Sequence, residues 1–397
     1  MTPTQATSAG ERLVLAALAG GIVASRAELS AATGLPKTTV TGIVARLLGR
    51  GALVERPAAP GPARGRGRPA GAVALAGSDG MVAVLALSHA AIRAAVVSWD
   101  GTVAAVQHSP IEGPREESKI IGRGLEMVEA ALAEAGLGHG QADRAVIGIP
   151  GAYQPGVGLV IGRVPDAVRA AVPELARTYG WLRSDPVPAI QERLGVPVVA
   201  ENYANLAALG EVTRGAGQGF TDVVYVRVVE GLGAGLVLGG RLHRGARGLA
   251  GELAHVQVLD DGPWCACGSR GCLAVTNSTH IHAFLDTAYP TTVSLDDIQA
   301  LLAAGERGTR RVMTDAGRRI GRVLADLCVM LSPEAIVLDG MLGPAAEPML
   351  DGIREMIDRH TPGEVAEFVR LRVGTLGDRA ELLGAVALAR AEDPRYG

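Results

Sequence analysis

The chain has 397 residues, of which 48% are apolar and 20% are charged. This length leaves room for two or three domains, and the apolar content excludes a globally disordered chain because a sizeable core can form. No apolar run reaches the ~18 residues of a membrane-spanning helix, and the N-terminus lacks the pattern of a signal peptide. We therefore expect a soluble cytoplasmic protein.

Charge is distributed unevenly along the chain. The net charge is −3, but residues 1–80 carry nine basic and four acidic side chains, a net charge of +5, while the remainder has a net charge of −8. A basic segment joined to an acidic body is typical of a polyanion-binding module attached to a second functional unit. Chance is the alternative explanation of this asymmetry.

The basic segment has the pattern of a helix-turn-helix. A short helix is predicted over Glu11–Ala19, and Ser25 with Glu28 can form a capping box at the start of a second helix. Gly34 suits a left-handed turn after that helix. A third helix is then predicted over residues 36–50, with proline at its start, where the missing N–H costs nothing.

The third helix carries small polar and basic residues where a recognition helix needs them. Such a helix inserts its first turns into the major groove of DNA, where hydroxyl groups and cations reach phosphates and base edges. The candidate DNA contacts in this helix are Lys37, Thr38, Thr39, Thr41 and Arg46. The alternative is a small helical hairpin with no role in DNA binding.

Two strands and a basic loop follow the third helix and form a predicted wing. The strands are expected over Gly51–Arg56 and Ala70–Leu75. The loop between them alternates glycine with Arg64, Arg66 and Arg68, so it is flexible and can place arginines in a minor groove. A disordered basic linker is the alternative, and the two interpretations can hold together.

The rest of the chain alternates strands with helices, which is the pattern of an α/β fold. Several of these strands end in glycine or polar turns, where such folds bind ligands. The main predicted elements are strands within Met81–Ser98, Ala145–Ile149, Val196–Ala200, Val223–Val229, Gly235–Leu238 and Ala335–Leu338, and a helix over Ile120–Ala135.

Three of the four cysteines, Cys265, Cys267 and Cys272, fall within eight residues. That spacing is poor for a disulfide framework and suitable for a metal ion. Cys328 stands alone on an apolar helix, where packing in the core is the simpler explanation.

Five sequence motifs together resemble the ROK family of repressors, open reading frames and kinases. They are Gly148-Ile-Pro-Gly151, Glu201-Asn-Tyr-Ala-Asn205 with Ala208-Leu-Gly-Glu211, Gly248-Leu-Ala-Gly-Glu252-Leu-Ala-His255, Cys265-Ala-Cys267-Gly-Ser-Arg-Gly-Cys272 and Gly377-Asp-Arg-Ala-Glu-Leu-Leu-Gly384. The resemblance covers roughly residues 10–395, and the cysteine block is its most specific part. It implies a two-lobed, actin-like (ribonuclease-H-like) body, and the winged N-terminal domain is similar to that of the family's repressor branch.

The resemblance suggests where the domains lie. A winged helix-turn-helix domain is expected over residues 10–76. The first ROK lobe is expected over residues 79–200 together with a C-terminal helix over residues 380–395. The second lobe, which contains the zinc-binding loop, is expected over residues 201–379.

The resemblance also implies a structural zinc site made of His255, Cys265, Cys267 and Cys272. Zn²⁺ prefers four nitrogen and sulfur ligands in a tetrahedral array, and a short loop with glycine turns can wrap one ion. Reduced, metal-free thiols are the alternative.

Three positions depart from the kinases of this family. Tyr203 replaces the aspartate that removes a proton from the sugar, and a tyrosine with a pKa near ~10 is a poor base at pH 7. The first phosphate loop, Asp-x-Gly-Gly-Thr in the kinases, reads Ala86-Leu-Ser-His-Ala90 here. In the second loop Glu230 replaces a threonine, and its carboxylate at ~4 Å would repel a phosphate by about 4 kcal/mol. We therefore expect that the protein is not an enzyme.

Part of the family's sugar site is retained. Asn202, Glu252 and His255 match residues that bind sugar hydroxyls in the family, whereas Ala274 replaces a glutamate that makes a further contact. Buried polar groups of this kind discriminate strongly between sugars. The structural alternatives are a salt bridge between Glu252 and Arg247 and a helix cap formed by Asn202.

These observations predict a sugar-responsive transcriptional regulator, a repressor of carbohydrate-metabolism genes. It would bind a double-stranded DNA operator as a homodimer or tetramer, with half-sites about 34–36 Å apart or a multiple of that distance. A sugar or sugar derivative between the lobes would change the spacing of the DNA-binding heads, a coupling of typically ~1–3 kcal/mol. The alternatives are a ROK sugar kinase with a regulatory head and a ROK regulator that no longer binds sugar.

Overall fold

The computed structural model of the protein describes residues 8–18, 24–56, 71–75, 80–113, 115–160, 170, 181–182, 184–228, 231–276, 285, 289 and 293–393. Within these ranges no helix is both long and apolar enough to cross a membrane. The predicted wing arginines Arg64, Arg66 and Arg68, and Glu230 of the second phosphate loop, lie outside the described residues, so their roles stay predictions.

The N-terminal part of the chain, as described between residues 8 and 75, combines helices with a small antiparallel sheet. Its elements are α1 (Ala9–Ala17), β1 (Ala24–Ser25), α2 (Arg26–Thr33), α3 (Lys37–Gly49), β2 (Leu53–Arg56) and β3 (Ala72–Leu75), with the strand order β1-β3-β2. Ser25 and Glu28 form the predicted capping box of α2, and Gly34 ends that helix at a φ of 70°. The helix-turn-helix and both wing strands are confirmed.

A second group of elements forms the first lobe of the body. They are β4 (Met81–Leu87), β5 (Ala91–Ser98), β6 (Val103–Pro110), α4 (Glu117–Glu134), β7 (Arg144–Ile149), β8 (Tyr153–Gln154), β9 (Gly158–Leu159), α5 (Val187–Leu194) and β10 (Val198–Asn202). The sheet order is β10-β7-β4-β5-β6. The strand-like segment 81–98 is two strands, because the hydroxyl oxygen of Ser88 accepts hydrogen bonds from the backbone N–H groups of Ala90 and Ala91 and closes a turn.

The remaining elements form the second lobe and the C-terminal helix. They are α6 (Tyr203–Arg214), β11 (Val223–Arg227), β12 (Gly233–Leu238), β13 (Arg241–Leu242), α7 (Leu295–Ala303), α8 (Arg307–Leu331), β14 (Ala335–Leu338), α9 (Ala346–His360), α10 (Gly363–Phe368), β15 (Arg370–Val373) and α11 (Ala380–Ala391). The sheet order is β13-β12-β11-β14-β15. Cys328 on α8 is fully buried in the apolar core of this lobe, as the sequence predicts.

The side chains of β4 alternate between two buried layers, one on each face of the first sheet. Successive side chains of a strand point to opposite faces. Ala83 and Leu85 pack in the cluster that contains helix α4, while Val82 and Val84 pack in the cluster that contains α11. The C-terminal helix therefore belongs to the layer on the first sheet, although the second sheet lies between them in sequence.

Helices α6 and α11 cross at two glycines. A Cβ atom on Gly384 would overlap the carbonyl oxygen of Leu206, and one on Gly210 would overlap the carbonyl oxygen of Ala380. Because glycine has no Cβ, the two helix backbones can approach this closely. This crossing fixes α6 where its first residue, Tyr203, follows the end of β10.

Candidate functional site

Helix α3, the predicted recognition helix, has a buried face and an exposed face. Val40, Val44 and Leu47 are fully buried in the core of the N-terminal part, and their spacing matches one side of a helix. The predicted DNA contacts are all exposed: Lys37, Thr38, Thr39, Thr41 and Arg46. The core therefore turns this polar and basic face outward, which is the orientation that major-groove binding requires.

An acidic side chain from α1 holds two arginines of this region. Glu11 Oε1 accepts a hydrogen bond from Arg46 Nε at 3.1 Å, and Glu11 Oε2 lies 3.5 Å from Arg50 Nη2. The Glu11 side chain is 7% exposed. Sequence reasoning missed this contact, because nothing in the local pattern shows that α1 packs against the end of α3.

The four predicted metal ligands come together. One ligand atom from each of His255, Cys265, Cys267 and Cys272 lies within 4.8 Å of the others. His255 Nδ1 is 3.4 Å from Cys265 Sγ, and the Cys267 and Cys272 sulfurs are 3.7 Å apart. Sulfurs at ~2.3 Å from a tetrahedral Zn²⁺ would be separated by about 3.8 Å, so the cluster could hold such an ion.

Burial disfavours the charged forms of the side chains in this cluster. Burial raises the pKa of the Cys265 thiol to about 12, and burial lowers the pKa of His255. A neutral imidazole is the form that binds metals, while thiolates need a nearby positive charge to form. The donor set thus fits a soft divalent cation.

Asn202, Glu252 and His255 form one chain of contacts at the end of β10. Asn202 Nδ2 donates to Glu252 Oε1 at 3.4 Å, and Glu252 Oε2 lies 3.8 Å from His255 Nε2. Asn202 Oδ1 also accepts from the backbone N–H of Ala204 at 2.7 Å, so Asn202 caps α6 as well. Among the described residues, Glu252 makes no ion pair with Arg247.

Burial perturbs the carboxyl group at the centre of this chain. It raises the pKa of Glu252 to about 7, because a low-dielectric environment disfavours the charged form. Glu252 can therefore accept hydrogen bonds when ionised and donate one when protonated. A cluster of an amide, a carboxyl and an imidazole offers the alternating donors and acceptors that polyhydroxyl compounds need.

Glu201 accepts several hydrogen bonds at the end of β10, beside this cluster. Its Oε1 accepts from Asn205 Nδ2 at 2.9 Å and from the Asn202 backbone N–H at 2.8 Å. Its Oε2 accepts from Arg244 Nε at 2.6 Å. These bonds hold the backbone of Asn202, so the side chain of Asn202 needs little reorganisation to meet a ligand.

Tyr203, which the resemblance aligns with the base of the family's kinases, has contacts on its ring and at its hydroxyl group. Its side chain is buried, and the guanidinium carbon of Arg227 lies 4.6 Å from its ring centroid. A Cβ atom on Gly231 would lie 3.3 Å from the Tyr203 hydroxyl, so the ring reaches the second glycine loop. Arg227 also forms a buried ion pair with Glu381 of α11.

The Arg227–Glu381 pair was not found by sequence reasoning. The two residues are 154 positions apart, and each side chain alone resembles an ordinary surface charge. A weak signal was available, since Arg227 is the one charged residue of a strand, Val223–Arg227, that the structure buries on every residue.

The replaced first phosphate loop is a tight hairpin between β4 and β5. Its backbone carbonyl at His89 accepts hydrogen bonds from Arg115 Nε at 3.0 Å and Nη2 at 2.6 Å. Arg115 therefore binds the backbone of this loop. In the ROK resemblance, the corresponding loop of the kinases binds phosphate.

The chain combines two parts. A helix-turn-helix with wing strands is followed by a two-sheet α/β body, and the body holds a His/Cys cluster. The sequence pattern of the ROK family matches residues 90–392. The chain belongs to the ROK family.

Relatives of two kinds match the chain over different lengths. The chain is 26% identical over 398 residues to the xylose repressor of Caldicellulosiruptor bescii. This alignment covers 95% of the present chain and 94% of the repressor. The chain is 31% identical over 241 residues to the glucokinase of Streptomyces coelicolor. That alignment covers 55% of the present chain and 75% of the glucokinase. The repressor alignment therefore includes the N-terminal part of this chain.

A solved structure has the same overall architecture. The ROK family transcriptional regulator described as a homologue of the E. coli MLC protein superimposes with a TM-score of 0.70 over 97% of both chains. The sequence identity is 22%, so this likeness establishes the fold. The α/β body with an N-terminal helix-turn-helix is thus shared with a known regulator.

Proposed function

We propose that this protein is a ROK-family transcriptional repressor that binds an operator through α3 and its wing, responds to a sugar or sugar derivative, and does not act as a kinase. The observation that carries the proposal is the exposed polar and basic face of α3, which a buried apolar face holds outward. The near full-length similarity to a xylose repressor supports the same assignment.

The side chains around Tyr203 support the absence of kinase activity in this proposal. A phenol is neutral at pH 7, and losing a general base typically lowers a rate by ~10²–10⁴. Arg227 stacks on the ring of Tyr203 and pairs with Glu381, and both contacts favour the observed position of the ring. The similarity to a glucokinase favours a sugar kinase as the second candidate.

The effector site in this proposal is the cluster of Asn202, Glu252 and His255. These three groups would bind the hydroxyls of the effector, and Glu201 would keep Asn202 in place. Zinc is the ion that the His/Cys cluster would hold, and its chemistry there is structural, fixing the loop that carries His255. Because Asn202 also caps α6, a bound effector would act on a helix that packs against both sheets.

The operator would be read by a homodimer or tetramer in the cytoplasm. Two heads related by a two-fold axis would contact half-sites about 34–36 Å apart or a multiple of that distance. An effector between the lobes would favour one separation of the heads and so change operator affinity. A typical coupling of ~1–3 kcal/mol changes that affinity about 5–150-fold.

Selection of duplexes from a random library by the full-length protein tests the proposal. We expect enrichment of a two-fold symmetric sequence, and a panel of sugars should then change its affinity measured by fluorescence anisotropy. Failure to enrich any sequence at low or moderate salt would refute DNA recognition. Release of ADP from Mg-ATP with any hexose above ~1 s⁻¹ would instead support the kinase.

A further inference from the structure

Glu11 has two sets of contacts in the N-terminal part of the chain. Its Oε2 accepts from the Ser8 backbone N–H at 3.1 Å, and its own N–H donates to Ser8 Oγ at 3.2 Å. These reciprocal bonds are a capping box at the start of α1. The same carboxylate also contacts Arg46 and Arg50 of the recognition helix region.

A second capping box in the same fold shows that the cap alone does not need the arginines. In α2, Glu28 Oε2 accepts from the Ser25 N–H at 2.7 Å and the Glu28 N–H donates to Ser25 Oγ at 3.3 Å. Glu28 is exposed, whereas Glu11 is buried. The burial of Glu11 and its arginine contacts therefore call for a reason beyond helix capping.

The geometry of Arg46 suggests that reason. Only its Nε bonds to Glu11, and its side chain remains 58% exposed. A guanidinium has five N–H donors, so the other donors are available to a second acceptor on the exposed face of α3. A side chain held in this way loses less conformational freedom when it binds a phosphate.

The charge of Glu11 has a separate effect on binding to DNA that lacks the operator. Binding of such DNA depends on the number of phosphate charges that the protein neutralises. One carboxylate beside Arg46 and Arg50 lowers the positive potential near the end of α3. Nonspecific binding is weakened by this charge, while a phosphate placed opposite the fixed Arg46 still gains a directed contact.

We propose that Glu11 is a positioning residue for DNA recognition: it fixes Arg46 for one operator phosphate and limits binding to nonspecific DNA. The proposal rests on the DNA-binding function proposed above. Its measurable consequence is a difference between affinities, because loss of the Glu11 charge weakens operator binding relative to binding of unrelated duplexes.

The experiment compares Glu11→Gln with Glu28→Gln in the full-length protein. Glutamine serves as well as glutamate at the third position of a capping box, so both variants keep the cap and lose one charge. The probes are the duplex most enriched by the wild-type protein from a random library and a shuffled duplex of the same composition. Their affinities are measured by fluorescence anisotropy at several salt concentrations.

We expect Glu11→Gln to lower the ratio of the two affinities by at least about threefold, in the range of coupling between residues in contact. The salt dependence for the shuffled duplex should become steeper by up to about one unit of log–log slope, the value for one more neutralised phosphate. Glu28→Gln should change neither quantity. In an Arg46→Ala background, Glu11→Gln should change the ratio less, because only its charge effect beside Arg50 remains.

Each outcome separates this inference from the function on which it rests. If the wild-type protein enriches no duplex, the DNA-binding function fails and this inference fails with it. If it enriches one and Glu11→Gln keeps the wild-type ratio, only the role of Glu11 is refuted. Should thermal unfolding show that Glu11→Gln does not fold, Arg46→Lys keeps the charge but loses the Nε contact. An unchanged ratio in Arg46→Lys would then overturn the inference.

Discussion

The buried ion pair between Arg227 and Glu381 gives the clearest stability test in this structure. The Arg227 and Glu381 side chains are 6% and 12% exposed. Removing one partner of a buried pair leaves an uncompensated charge and typically costs 3–5 kcal/mol, so about that loss is expected for Arg227→Met. The variant also loses the stacking of the guanidinium on Tyr203, a contact worth up to ~2 kcal/mol when desolvated.

A double variant distinguishes the ion pair from simple loss of packing. Arg227→Met combined with Glu381→Met removes both charges of the pair and fills a similar volume with apolar atoms, which is often neutral or stabilising. The buried carboxyl of Asp339 still loses the attraction of Arg227, so part of the destabilisation should remain. We therefore expect the double variant to recover at least ~2 kcal/mol relative to Arg227→Met, within the range found for directly contacting residues.

Urea unfolding followed by circular dichroism measures these changes. With a slope of about 3 kcal/mol per molar urea for a large domain, a loss of about 3–5 kcal/mol in Arg227→Met should lower the midpoint by roughly 1–1.7 M. The control is Arg322→Met, since Arg322 pairs with Asp326 at 2.7 Å on an exposed helix surface, where such pairs contribute ~0–1 kcal/mol. Equal instability of the single and double variants would refute the ion-pair argument.

Three further changes test the metal cluster, the helix crossing and the recognition helix. Cys272→Ser should remove bound zinc measured by mass spectrometry, and zinc affinity of the wild-type protein should fall as the pH falls, because thiols and imidazole must lose protons to bind. Gly384→Ala should destabilise the protein by at least ~2 kcal/mol in urea unfolding because its Cβ meets a backbone carbonyl. Lys37→Ala should weaken binding to all duplexes alike and reduce the log–log salt slope by about 1, as expected for one phosphate contact.

Each of these changes has a matched control in the same chain. Cys328→Ser should keep its zinc, since Cys328 lies in the apolar core of the second lobe. Gly122→Ala, on α4 where a Cβ meets nothing within 4 Å, should stabilise the helix by ~0.5–1 kcal/mol. Zinc retained by Cys272→Ser, equal stability of the two alanine variants, or a sequence-dependent effect of Lys37→Ala would contradict the respective argument.

The amino-acid sequence by itself determined the features that depend on neighbours a few positions apart. The capping box of Ser25 and Glu28, the left-handed turn at Gly34 and the apolar face of α3 are all decided by residues within one or two helical turns. The spacing of the cysteines likewise predicted a metal cluster, because a short loop leaves few ways to arrange its ligands. The family motifs added the fold of the body.

Only the tertiary structure decided which distant charges meet. Glu11 and Arg46 are 35 positions apart, and Arg227 and Glu381 are 154 positions apart. Their pairing depends on how α1 packs on α3 and how α11 crosses α6, and helix packing is set by the whole shape of the apolar surfaces. A charged residue carries no local mark of the partner that burial will give it, so these contacts follow from the fold and not from the order of residues along the chain.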